Sequence, residues 1–96
     1  MSPANKKKLN LLRIKLDKLD NELLKLIKKR SNLVNEVLKV KIHKKEIIDQ
    51  KRIRFILKKI KKKSIQRHID PRITNRIWKN MIWSFIDYEK RNFKNK

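Results

Sequence analysis

The sequence predicts an all-α protein of three helices, one of them very long. Three observations predict it. Apolar residues recur at steps of three and four along nearly the whole chain. The 96 residues include no glycine and only two prolines, so little interrupts the helical pattern. No stretch shows the period-two alternation of a half-buried strand, and no hairpin signal occurs.

The first helix is predicted from about Asn5 to about Lys41. Its apolar seam runs through Leu9, Leu12, Leu16, Leu19, Leu23 and Leu26, and resumes at Leu33, Val37 and Val40. A break follows at "IHKKEI". The second helix is predicted from about Asp49 to about Lys63. The third opens at "DPRIT", with Asp70 as N-cap and Pro71 as the first helical residue, and runs to about Asn92. Neither a repeat nor a long linker divides the chain, so a single domain over residues 1–96 is expected.

The lengths pose a problem. A helix of roughly 36 residues is about 54 Å long, whereas a compact domain of about 100 residues has a radius of gyration near 13 Å. The second and third helices together only match the first. One chain therefore cannot easily cover its own seam, but a second copy packed antiparallel can. The expected assembly is an intertwined antiparallel helical homodimer, its first helices paired along Leu9 to Val40.

Composition offers a competing reading. Thirty Lys plus Arg stand against nine Asp plus Glu, a net charge of +21. That balance suits nucleic acid, an anionic membrane or an acidic ligand, and does not choose among them. Abundant Lys, Ile and Asn also follow from A/T-rich codons. A basic helical nucleic-acid-binding protein is thus one alternative. It has no recognition motif, however, and the aromatics read as lying on apolar stripes rather than among the lysines, so nucleic acid is not the expected partner. The absence of cysteine excludes disulfide and thiol chemistry. His43 and His68 lack metal-ligand spacing, so no metal or cofactor is expected. No apolar run reaches membrane-spanning length, and "MSPANKKK" does not read as a secretory signal. The expected location is the cytoplasm.

One seam position, between Leu26 and Leu33, is Arg30. A guanidinium there needs an anion. A structural ion pair across the dimer is the plainer account. The other is a ligand. Arg30 and Lys41 lie nearly on one helical face, about 16 Å apart along the axis. Arg13 lies about 25 Å from Arg30 and is rotated by about 100°, so one straight helix cannot aim both at one small molecule. In an antiparallel pair, Arg13 of one copy approaches Arg30 of the other. Two equivalent sites follow, each borrowing an arginine.

The runs "LRIKLDKLDNELLKLIKKRSNLVNEVLKVK", "DQKR" and "IDPRITNRIWKNMIWSFIDYE" resemble the all-α, intertwined-dimer class of chorismate mutases (type II, monofunctional). The resemblance covers roughly residues 9 to 93. It implies rearrangement of chorismate to prephenate, on the route to phenylalanine and tyrosine, without a cofactor. It also implies roles. Arg13 from the partner chain and Arg30 would bind the two substrate carboxylates. Lys41 would donate to the ether oxygen of the breaking bond, and Glu89 would face the same oxygen. Asp49 would accept from the ring hydroxyl, and Arg52 would line the site. Ile53 stands where many members carry Glu, and Phe85 where some carry a small hydroxyl residue. Asp49 also reads as a plain N-cap for the second helix.

The chemistry suits such a residue set. A unimolecular pericyclic shift needs no nucleophile. It needs a flexible dianion held in a compact geometry, with donors placed where the ether oxygen gains negative charge. An isochorismate-pyruvate lyase of the same fold, or a member that has lost activity, are the related alternatives.

Overall fold

The computed structural model describes residues 1–94, which form helix α1 (Pro3–Val40), a short 3-10 turn (Lys44–Glu46), helix α2 (Gln50–Gln66) and helix α3 (Pro71–Asn92). There is no strand among the described residues, so the chain is all-α with three α-helices. Two compact units are distinguished, Met1–Leu33 and Val34–Lys96.

In the first unit, Ser2 caps α1. Its Oγ accepts from the Asn5 N–H at 3.1 Å and its carbonyl from the Lys6 N–H at 2.9 Å, satisfying donors that a helix start otherwise leaves orphaned. No residue of α1 is buried. The seam leucines are open, with Leu19 60% and Leu26 58% exposed.

The second unit contains the core. Ile47, Ile53, Ile82 and Ile86 are buried together, with Leu38, Ile48, Ile56, Leu57 and Phe93 packed around them. α2 packs on α3, and each begins with an aspartate cap. The Asp49 carboxylate accepts from the Arg52 N–H at 2.9 Å. The Asp70 carboxylate accepts from the Arg72 N–H at 3.0 Å and from two guanidinium N–H groups at 3.2 and 3.0 Å. The Arg72 side chain, and then its backbone N–H, hold the Asp70 carboxyl below its ordinary value. Pro71 follows as the first helical residue, as the sequence predicts.

α2 runs three residues beyond its predicted end at Lys63, to Gln66. The stop is a Schellman motif: Ile69 N–H donates to Ser64 O at 2.9 Å and His68 N–H to Ile65 O at 3.2 Å. His68 holds the left-handed position, with φ 58°. Glycine usually fills that place, and the chain has none. Beside this turn the Ser64 and Thr74 hydroxyls, both buried, meet at 2.7 Å and tie α2 to α3.

Candidate active site

The chain places two of the expected site residues in direct contact. α1 ends at Val40, and Lys41 follows with its N–H still bonded to Leu38 O at 3.2 Å. The ammonium therefore sits at a helix C-terminus, where the backbone dipole favours positive charge. Glu89 lies in the penultimate turn of α3 and is buried, 5% exposed. Lys41 Nζ donates to both Glu89 oxygens, at 3.2 and 3.1 Å. The two side chains are largely shielded from water. An ammonium has three N–H donors, so one remains for another acceptor. Residues 48 positions apart in sequence thus converge on one point.

Glu89 is held on both sides. Ile82 and Ile86, on the preceding turns of α3, are core residues and fix the helix face. Tyr88 Oη donates to Asn35 Oδ1 at 2.7 Å, tying the end of α1 to α3 next to Glu89. This bond was not foreseen. The only sign of it was an asparagine two residues past a seam leucine.

The other candidates divide. Asp49 is exposed and engaged as the α2 cap. Arg52 is exposed, and its guanidinium lies 5.3 Å from the centre of the Phe55 ring. Phe85 is half-buried on α3. Ile53, also expected to line the site, is one of the four buried core isoleucines. Arg13 and Arg30 belong to the first unit. Arg13 is exposed, whereas Arg30 is half-buried with its Nε shielded from solvent.

No group of acidic or histidine side chains among the described residues is arranged to hold a metal ion. What the paired Lys41 and Glu89 offer is a donor beside a second polar group in a dry setting. Donors placed in this way can stabilise an oxygen that gains charge during a reaction.

The family model described as chorismate mutase type II matches residues 12–90. The chain belongs to the chorismate mutase type II family. All the candidate residues, from Arg13 to Glu89, fall inside the matched span. Membership makes the chain an isomerase acting on chorismate, and the isochorismate-pyruvate lyase alternative has no better support. No curated protein and no solved structure shows significant similarity to the chain. No helix among the described residues is long and apolar enough to cross a membrane.

Proposed function

We propose that this chorismate mutase works as an intertwined homodimer in the cytoplasm, with one mutase domain over residues 1–96 and two sites shared between the chains. The observation that carries the site is the meeting of Lys41 and Glu89 at 3.1 Å. Two polar groups that reach the same point can both reach one ether oxygen. Lys41 donates its third N–H to that oxygen. Glu89 approaches it from the other side, and only its protonated form can donate. Arg30 and the partner's Arg13 hold the two carboxylates, Asp49 accepts from the ring hydroxyl, and Arg52 and Phe85 line the site. This fixes the dianion in its reactive fold.

The exposed seam supports the dimer. Leu16, Leu19, Leu23 and Leu26 are each at least half exposed. An apolar stripe of that length on one soluble chain marks an interaction surface. A copy of the same helix is the self-complementary cover.

Incubation of the purified protein with chorismate and, separately, with isochorismate, followed by product identification, tests the activity: prephenate from chorismate is expected, and pyruvate with salicylate from isochorismate would identify a lyase. Subunit mixing tests the shared site. Arg13→Ala and Arg30→Ala should each lose about 100-fold or more in turnover. Heterodimers of the two should regain activity, because one of their two sites is intact. Confirmed subunit exchange without recovery would remove the shared-site reading and leave the activity itself standing.

A further inference from the structure

The outward face of α2 carries a cluster of cations around an exposed ring. Lys51, Arg54, Lys58 and Lys61 line one groove of about 800 Å³, together with Phe55 and, from α3, Arg72. The spacing of three, four and three residues places the four α2 cations in one row about 15 Å long. Among the described residues none of these four takes part in an ion pair, whereas Arg72 is matched by Asp70. Phe55 stands in this row 53% exposed. Cations flank its ring, Arg52 at 5.3 Å and Lys59 at 5.9 Å from the centroid. Phe55 is thus an aromatic among the basic residues, contrary to the expectation that aromatics lie only on apolar stripes.

From this juxtaposition we propose that the α2 groove binds a single strand of nucleic acid, its phosphates along Lys51, Arg54, Lys58 and Lys61 and a base stacked at Phe55. A basic row that tracks a backbone, beside a ring that accepts any base, is the physical recipe for sequence-tolerant strand binding. A membrane surface fits less well. An interfacial helix must present a broad apolar face, and that face of α2, Ile53 and Ile56, is committed to the core. An acidic protein partner uses the cations but leaves the exposed ring without a purpose. The four cations of the row are not among the residues assigned to the rearrangement, so a failure of strand binding leaves that reading standing.

The test must separate this groove from the general charge of +21. Binding of a fluorescent oligo(dT) strand to the full chain is followed by anisotropy across a salt series. Four neutralised phosphates contribute about −3 to the slope of log affinity against log salt. Replacing Lys51, Arg54, Lys58 and Lys61 with Gln should flatten the slope by about that amount and weaken binding more than tenfold. Replacing Lys6, Lys7, Lys8 and Lys15 with Gln removes as many charges from α1 and should weaken binding far less. Phe55→Leu should cost about 5- to 150-fold in affinity at unchanged slope, the worth of one stacked base.

Helical circular dichroism and thermal unfolding, unchanged in these variants, certify that each is folded. Equal losses from the two quadruple variants would reduce the effect to diffuse charge and overturn the proposal. So would Phe55→Leu binding like the parent. Displacement of the strand by polyglutamate at matched charge would identify an acidic-protein surface instead. Loss of binding to anionic lipid vesicles in the groove variants, with strand binding intact, would identify a membrane surface.

Discussion

In Met1–Leu33 the seam leucines from Leu12 to Leu26 are exposed; in Val34–Lys96 Ile53, Ile82 and Ile86 are buried. The local signal is the same in both: an apolar stripe on a helix. The second unit buries these isoleucines because α2 and α3 pack together and the end of α1 joins them through Leu38 and Asn35. The first is a single helix with no buried residue. An isolated helix gains little stability from propensity alone, and tertiary packing supplies most of it. The seam of the first unit is therefore left open, whereas Ile53, Ile82 and Ile86 of the second are already packed together.

The sharpest way to break this contrast is to charge the open stripe. Leu19→Glu with Leu23→Glu should abolish dimer formation and, with it, nearly all turnover, because each site loses the partner's arginine. Sedimentation and circular dichroism at several protein concentrations measure this. An unchanged mass would mean that the seam is not the interface.

Next in size is Lys41→Met. Turnover should fall about 100- to 1,000-fold. Stability should also fall by about 3–5 kcal/mol, since Glu89 is left buried without its cation. Glu89→Gln keeps an acceptor for Lys41 and always carries donors. Its turnover should therefore exceed that of Glu89→Ala, which gives Lys41 no acceptor and the ether oxygen no donor. Equal turnover in the two variants would take Glu89 out of the chemistry and leave Lys41 as the sole donor.

Ile53→Glu probes the second unit. With Ile53 packed among Ile47, Ile82 and Ile86, the expected outcome is a loss of at least about 2 kcal/mol in denaturant unfolding. Tighter substrate binding at undiminished stability would show instead that position 53 opens onto the site.

The smallest effect concerns Asp70. Its folded carboxyl titrates below the ordinary 3.8 because Arg72 holds the charged form. The stabilisation is present above that value and is lost as pH falls through the lower, folded one. Asp70→Asn keeps a capping oxygen and removes the charge. Thermal unfolding between neutral and strongly acidic pH should therefore fall slightly less steeply in the variant. The carboxylate is solvent-exposed, so an undetectable difference would mean that water screens the pair completely.

Much of the fold was legible because its signals are local. Asp70 and Pro71 mark the start of α3 to the residue, and leucine spacing gives α1 within two residues at each end. The end of α2 was less legible. A left-handed residue stops the helix, and no glycine marks the place because His68 occupies it. The site was harder still. Periodicity cannot pair Lys41 with Glu89 across 48 residues; likeness to a family supplied that pairing. Phe55 was misjudged for a related reason. In the line of sequence it adjoins Ile56 and Leu57, yet on the helix it points away from the core face and lies beside cations.

The hydroxyl pair between α2 and α3 carries a consequence for fault tolerance. Ser64 Oγ lies 2.6 Å from Ile60 O and 2.7 Å from Thr74 Oγ1, and Thr74 Oγ1 lies 3.3 Å from Pro71 O. Two protons serve three contacts, so the chain of bonds can run in either sense. In one, Thr74 donates to Ser64 and Ser64 to Ile60 O; in the other, Ser64 donates to Thr74 and Thr74 to Pro71 O. The short distance to Ile60 favours the first. Either hydroxyl, deprived of the other, keeps a carbonyl within reach. The junction therefore has redundancy built into its wiring: removing one member reroutes a proton, and no buried hydroxyl is stranded.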